Sequence, residues 1–259
     1  ASKLVPDPQV FEGRKLIRDN NCQGCHIIDG FGGQIAENYS APEYAPPNLN
    51  TEGSKVQPDW LLKFFKNPTM IRPNLAVRMP TFKMMSDDDW NTIIKYFQLK
   101  DGKTLPYENP HMVNKQSTSY KAGDVIADMG GCQNCHFYGN LKPRQAAVTW
   151  GPNLALTKER LRPEWLIELF KDPQVIMPGT KMPAPYIPVD EPVASVKEVW
   201  GKNVAKLHSE PEKLLEAIRD FTWAVSGPTD VSKIVKAHLA REGYGFVIED
   251  DDDWGDEDW

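Results

Sequence analysis

The sequence predicts an all-helical protein made of two tandem copies of one domain, followed by an acidic tail. The pentad Cys-x-x-Cys-His occurs twice, at 22–26 and 132–136, and the same landmarks follow it in the same order each time. Between the landmarks, apolar residues recur at helical spacing and helix start and stop signals flank them. The 259 residues suffice for two domains of about 100–150 residues each.

The pentad is the attachment sequence of a c-type haem. Two thiols add across the porphyrin vinyl groups, and the adjacent histidine can ligate the iron. The chain's cysteines are Cys22, Cys25, Cys132 and Cys135, and the histidines after them are His26 and His136. We therefore expect two haem c groups, with no cysteine left for a disulfide or a nucleophile. A shared zinc site is the weaker alternative, because 106 residues separate the two pairs.

The repeat extends well beyond the pentads. Gly13 and Gly123 each lie nine residues before the first cysteine of a pentad. The segment PDWLLKFFKNP at 58–68 matches PEWLIELFKDP at 163–173 in six of eleven positions. In each half a Pro-Asn-Leu triplet and a Met-Pro pair at matched places complete the pattern, and they contain Pro47, Leu49, Met79, Pro152, Leu154 and Met182.

These landmarks set the expected domain boundaries. Residues 1–100 form the first domain, and the polar, proline-containing segment 101–118 reads as a linker. The second domain covers 119–226, with an insertion at about 184–208. A C-terminal helix and the acidic tail occupy 227–259.

Capping signals place the helices of the first domain and their counterparts. Asp7-Pro8 opens a helix that runs toward Asn20, and its counterpart covers 120–129, stopped by two glycines. Short amphipathic helices at 60–66 and 165–171 end before prolines.

Capping also places the later helices. Ser86-x-x-Asp89 is a capping box, and Ser209-x-x-Glu212 is its expected equivalent in the second domain. Two helices without counterparts are predicted at about 193–206 and at about 230–242. Thr229 or Asp230 would cap the second of these, and Gly243 would stop it.

The net charge of −6 is concentrated at the end of the chain. Eight of the last eleven residues are acidic, which leaves 30 basic against 28 acidic residues elsewhere. Such a run repels itself and is not expected to fold alone. It could dock on a basic partner or only maintain solubility, with Trp254 and Trp259 flanking the acids.

Each half resembles a class I cytochrome c domain, over residues of about 8–100 and about 119–226. In that family an N-terminal helix crosses a C-terminal helix at a glycine, and CxxCH follows the first helix. A Pro-x-Leu loop packs on the haem edge, and a Met-Pro loop brings the sixth iron ligand. The resemblance implies haem-pocket roles for Pro47, Leu49, Pro152 and Leu154, and axial ligation by His26, Met79, His136 and Met182.

Several methionines compete for the sixth position. Met79 and Met182 each precede a proline, follow a basic residue and occupy matched places in the repeat. Met177 also precedes a proline and ranks second for the second haem. Met84 and Met85 are the fallback for the first haem.

Histidine ligation and aromatic relays are less favoured alternatives. The non-motif histidines are His111, His208 and His238, of which His111 in the linker could approach a haem. A methionine ligand nonetheless remains the preferred sixth ligand for each haem. Trp60 and Trp165 are expected to pack against the haem pockets rather than to relay electrons.

The sequence thus favours an electron-transfer protein over an enzyme. It would pass single electrons between a respiratory reductase and an oxidase or terminal reductase, as a free carrier or as a subunit of a quinol-oxidising complex. No catalytic residue is assigned. A di-haem peroxidase with one displaceable ligand is the alternative, and a subunit of an extracellular cytochrome filament is a weaker one.

Location and partners follow from the same features. Because c-type haem is attached after export, we interpret the start Ala-Ser-Lys, which has no signal-like features, as a mature N-terminus. We therefore expect an exported protein, periplasmic or otherwise extracytoplasmic, whose signal peptide has been removed. No run of about 18 apolar residues is present, so no transmembrane segment is expected. The expected partners are redox proteins, with a membrane respiratory complex as one candidate, and not nucleic acid.

Overall fold

The computed structural model describes residues 7–40, 44–73, 75, 78–109 and 111–241. In this part of the chain the fold is mostly helical, as the sequence predicts, with one two-stranded hairpin. The acidic tail, Trp254, Trp259 and the expected stop at Gly243 lie outside the described residues.

Among its described residues, the N-terminal half contains five helices and the hairpin. They are α1 Pro8–Asp19, α2 Cys22–Cys25, β1 Ile27–Ile28, β2 Phe31–Gly32, α3 Glu52–Lys55, α4 Pro58–Lys66 and α5 Asp87–Lys100, with a 3₁₀ turn at Gln34–Asn38. Asp29, between the two strands, ties the hairpin to α1 and α5. Its carboxylate lies 2.5 Å from both the Tyr96 hydroxyl and Lys100 Nζ, and 3.2 Å from Arg14 Nε.

The C-terminal half repeats this order and adds helices. They are α6 Thr118–Met129, α7 Cys132–Cys135, α8 Thr157–Arg160, α9 Pro163–Lys171, α10 Pro173–Ile176, α11 Val193–Val199, α12 Gly201–Leu207, α13 Pro211–Ala224 and α14 Ser232–Arg241. Short 3₁₀ turns lie at Ala147–Thr149 and Leu154–Leu156.

Most of the helix signals are confirmed. Asp7 Oδ1 accepts a hydrogen bond from the Gln9 N–H at 2.8 Å, and both bonds of the capping box between Ser86 and Asp89 are present. Helix α14 begins at Ser232, whose N–H donates to Asp230 Oδ1 at 2.8 Å, so Asp230 rather than Thr229 makes the contact.

Three expectations are corrected. The box Ser209-x-x-Glu212 does not form, because Pro211 takes the first helical position and Glu210 becomes the N-cap. The helix expected at 193–206 is broken in two at Gly201, whose φ of 81° no continuous helix allows. Helix α6 starts at Thr118, two residues early, because Ser117 caps it.

Helix α1 crosses α5, and helix α6 crosses α13, at the two predicted glycines. A β-carbon at Gly13 would lie 3.1 Å from the Thr92 carbonyl oxygen and would overlap Tyr96 on α5. A β-carbon at Gly123 would overlap the carbonyl group of Ala217 on α13. Each crossing therefore requires glycine because the two helix backbones touch.

Each half has its own apolar core, and the C-terminal extension adds a third. The N-terminal core centres on Ile17, Trp90 and Phe97, and the larger C-terminal core centres on Leu166 and Ile218. The third cluster comprises the buried residues Phe137, Trp150, Val231 and Val235. Helix α14 therefore packs on the loop that follows the second pentad.

The two halves meet through an antiparallel backbone contact. The Gln57 N–H donates to the Arg160 carbonyl at 2.8 Å, and the Arg162 N–H donates to the Lys55 carbonyl at 2.8 Å. Residues 55–57 and 160–162 occupy the same positions in the repeat. They are the three residues that directly precede the first proline of α4 and of α9, respectively. Equivalent residues thus exchange equivalent bonds, which is the pattern of an isologous, two-fold-like interface.

Side chains reinforce this contact in the same reciprocal way. Arg160 lies 5.2 Å from the ring centre of Trp60, and Lys55 lies 5.8 Å from that of Trp165. Gln57 Nε2 donates to the Leu161 carbonyl at 2.6 Å. The matched tryptophans therefore receive a cation from the opposite half, a role that sequence patterns did not indicate.

Replacing Gly123 with alanine should destabilise the protein. The new methyl group has to push α6 and α13 apart, and overpacking of this kind costs about 1–3 kcal/mol. Asp124→Ala, an exposed neighbour on the same helix, should change the free energy of unfolding by no more than about 0.5 kcal/mol. Chemical unfolding of the haem-loaded variants followed by circular dichroism measures both, and equal midpoints would contradict the crossing.

Candidate haem sites

Both pentads fold into one helical turn with matching geometry. The residue before each first cysteine is left-handed, with φ of 52° at Asn21 and 68° at Gly131. The N–H of His26 donates to the Cys22 carbonyl at 2.9 Å, and His136 makes the same bond to the second pentad's first cysteine. Because residues three apart share one face of a helical turn, the two thiols of each pentad lie on the same side.

Each pentad histidine is oriented by a proline carbonyl. His26 Nδ1 lies 2.8 Å from the Pro47 oxygen, and His136 Nδ1 lies 2.7 Å from the Pro152 oxygen. A carbonyl oxygen can only accept, so Nδ1 carries the proton in both rings. The lone pair of Nε2 is left for a metal, as in ligating histidines that are held by a second-shell carbonyl.

Burial sets the protonation state of these groups. Desolvation lowers the pKa of both His26 and His136, despite the opposing effect of the proline carbonyls. Both imidazoles are therefore neutral at pH 7, which is the form that binds iron. Desolvation also raises the pKa of the Cys22 thiol, and it raises the pKa of Cys132 to about 11.

The Pro-Asn-Leu segments lie beside the histidines, and their haem-pocket role stays a prediction. The Leu49 N–H donates to the Ile27 carbonyl and the Leu154 N–H to the Phe137 carbonyl, both at 2.9 Å. In each half the acceptor is the residue directly after the pentad. Pro47, Leu49, Pro152 and Leu154 are all partly buried.

Asn153 anchors the second site to the C-terminal extension. It is 2% exposed, and its Nδ2 lies 3.0 Å from the Pro228 carbonyl and 3.2 Å from the Thr229 carbonyl. Its Oδ1 accepts from the Gly139 N–H at 3.0 Å. The matching residue of the first half, Asn48, accepts only the Asn50 N–H at 2.8 Å among the described hydrogen bonds.

The methionine loops lie on the core of their own half. Met79 and Met85 are partly buried against the N-terminal core, whereas Met84 is 78% exposed. Met177 and Met182 both pack on the C-terminal core. Exposure thus disfavours Met84 as a ligand but does not separate Met79 from Met85.

One turn holds the two candidates of the second half. Thr180 donates its N–H to the Met177 carbonyl at 3.0 Å, and its hydroxyl accepts from the Met182 N–H at 3.2 Å. Both methionines therefore belong to the same loop, and the assignment of Met182 stays a prediction.

The non-motif histidines have other neighbours. His111 Nε2 lies 3.1 Å from Asp220 Oδ1, and its ring meets Trp223 edge-on. The pair is close, although the ring N–H is not aligned for a hydrogen bond. His238 stacks on Trp150 at 4.7 Å, and His208 follows the end of α12.

Charges beside the first site were not expected from the sequence. Glu52, Lys55 and Arg72 all act electrostatically on His26, whereas no charged group is resolved as acting on His136. Arg72 Nη2 also donates to the Ala45 carbonyl at 2.7 Å, two residues before Pro47. No repeat landmark contains these residues, so only the fold brings them together.

Comparison with known proteins identifies the first half. A family model described as Cytochrome c matches residues 10–99. No curated protein and no solved structure matches the chain. The chain therefore carries a cytochrome c domain, which implies covalently bound haem c and haem-based electron transfer.

Two further findings concern location. Cytochrome c domains are typically exported. Within the described ranges, no helix combines the length and the apolar character that crossing a membrane requires.

Replacing Asn153 with alanine should cost about 3 kcal/mol of stability. Several buried carbonyl and N–H groups lose their partner, and each such group costs about 1–3 kcal/mol. Asn48→Ala is the matched control and should cost about 1 kcal/mol or less, because one bond is lost. Denaturant unfolding followed at the haem absorbance compares them. Equal losses would show that Asn153 does not anchor the extension.

Proposed function

We propose that the chain is a di-haem electron-transfer protein, with a second haem c bound by the C-terminal half. The observation that supports this is the repeated orientation of the pentad histidine. His136 is held by the Pro152 carbonyl at 2.7 Å, as His26 is by Pro47 at 2.8 Å. Both rings are partly buried, and burial lowers the pKa of each. The second site thus has the geometry of the domain that the family model matches.

When bound, each haem supplies reversible one-electron chemistry at its iron. The chain's residues provide the rest. Each proline carbonyl orients the imidazole ring of its histidine and keeps Nε2 unprotonated and basic. The cysteines would attach the porphyrin covalently. We assign Met79 and Met182 as sixth ligands, whose thioether sulfur favours the reduced iron and raises its potential.

A carrier explains this arrangement better than an enzyme does. Catalysis at the iron needs an open or displaceable sixth position, whereas both halves place partly buried methionines in the matched loop. All four cysteines lie in the pentads, so none is available as a further ligand. We infer that single electrons enter and leave through the protein surface near each haem.

The partners follow from this function. We propose redox proteins of a respiratory chain as donor and acceptor, met in the periplasm either freely or within a quinol-oxidising complex. The acidic tail would then serve a basic partner surface, because opposite charges steer association.

Methionine substitutions test the proposed ligation. Met79→Ala and Met182→Ala should each remove half of the weak far-red methionine–iron band of the oxidised protein, because each haem has its own sulfur ligand. Met84→Ala, which alters a methionine that is 78% exposed, should leave the band unchanged. Absorbance and electron paramagnetic resonance spectra of the oxidised variants measure the change.

Two outcomes would contradict the proposal. If neither substitution affects the band, another methionine such as Met85 or Met177 is the ligand, and if the unmodified protein lacks the band, no methionine is. If the unmodified protein has a high-spin haem that binds peroxide, one iron is open and the protein is an enzyme.

A further inference from the structure

The contact between the halves contains a cluster of buried charge with excess positive charge. We call it the interface cluster; it consists of Glu52, Lys55, Arg72 and Arg160. Lys55 and Glu52 are 4% and 7% exposed, and Lys55 Nζ lies 3.2 Å from Glu52 Oε2. Arg160 comes from the opposite half, at the end of α8. Among the described residues, Lys55 and Arg160 thus face a single carboxylate.

The members of the interface cluster influence each other. Desolvation, with repulsion from Arg160 as the next cause, lowers the pKa of Arg72 to about 10. The pKa of Lys55 is also lowered, by burial first, while Glu52 opposes that shift and Arg160 adds to it. Buried charge of one sign is costly unless a counter-charge accompanies it. The cluster therefore suits an additional anion.

Arg160 has a donor that is ready for such an anion. Its Nε is shielded from solvent and has no hydrogen-bond partner among the described residues. Its guanidinium lies over the Trp60 ring, so it reaches across the contact into the N-terminal half. A planar guanidinium with free N–H groups matches a carboxylate, which can accept two parallel bonds.

The interface cluster lies next to the first haem site. Arg72 donates to the Ala45 carbonyl, two residues before the proline that orients His26. Helix α3, which carries Lys55, begins three residues after Leu49, and the Glu52 N–H donates to the Leu49 carbonyl at 3.2 Å. The only carboxylates that a haem carries are its two propionates.

We propose that Arg160 of the C-terminal half completes the binding site for the propionates of the haem attached at 22–26, together with Lys55 and Arg72. This inference rests on the proposed function only because its test measures the reduction potentials of two bound haems. Positive charge beside a haem favours the reduced iron, because reduced iron carries one positive charge fewer than oxidised iron. The first haem therefore has the higher potential and accepts the first electron, and its attachment strengthens the contact between the halves.

Redox titration of Arg160→Gln in the full haem-loaded chain tests this. The substitution should lower the reduction potential of the first haem by about 59 mV. At a fixed applied potential this corresponds to about a tenfold fall in the ratio of reduced to oxidised haem. The second haem should not change. Spectra of Met79→Ala and Met182→Ala distinguish the two haems. Lys158→Gln removes an exposed cation two residues away and should leave both potentials unchanged.

Two further variants separate charge from contact. Arg160→Lys should restore most of the potential, because lysine occupies the equivalent position 55. Gln57→Ala removes two hydrogen bonds across the contact but keeps the cation, so the first potential should stay unchanged. If Arg160→Gln does not fold, Arg160→Met retains the apolar stem over Trp60 and should give the same fall.

Three outcomes would overturn the inference. The first is an unchanged potential of the first haem when the guanidinium is lost. The second is a change in the potential of the second haem instead of the first. The third is an equal change in the potential of the first haem in Gln57→Ala. Failure of the proposed function would be distinguished, because haem content and low-spin spectra report on it independently of either potential.

Discussion

The hydrogen bond from each pentad histidine to a proline carbonyl is the interaction on which both sites depend. It fixes the tautomer of His26 and His136 and leaves Nε2 of each ring available. The carbonyl belongs to a loop that is itself bonded to the residue after the pentad, so ring, loop and attachment turn form one unit. The helix crossings at Gly13 and Gly123 hold this unit in place because they set the distances between α1 and α5 and between α6 and α13.

The same repeat that duplicates the site also joins its copies. Residues 55–57 and 160–162 precede equivalent helices and exchange equivalent backbone bonds. A repeated segment that meets its copy in this way brings equivalent side chains together twice, which explains the crossed cation–tryptophan pairs. The halves nevertheless differ, since Glu52 corresponds to Thr157 and the C-terminal half alone gains the extension that Asn153 anchors. The first site thus has buried charge nearby, and the second is covered by apolar packing and amide bonds.

Local signals made much of this predictable. The helical turn of each pentad and the cap at Ser86 depend on residues close in sequence, and the structure has the capping box that the sequence predicts. The two glycines instead meet helices that are distant in sequence, and the family resemblance implied their crossings. The prediction of a cap at Ser209 was wrong because Pro211 takes the first position of the helix instead. Both residues are helix-start signals, and which one prevails depends on their relative strength. The contact between the halves could not be foreseen, because backbone groups make it and any residue type can supply them. The sixth ligands stay predictions because two methionines share each loop region.

The central claim is that both halves are haem sites of one design. Intact-mass measurement of the mature, denatured protein tests it most directly, since covalently attached haem survives unfolding. If both halves bind haem, the mass of the unmodified chain increases by two haems, and that of the variant Cys132→Ala/Cys135→Ala increases by one. An increase of only one haem in the unmodified chain would show that one half does not bind haem covalently.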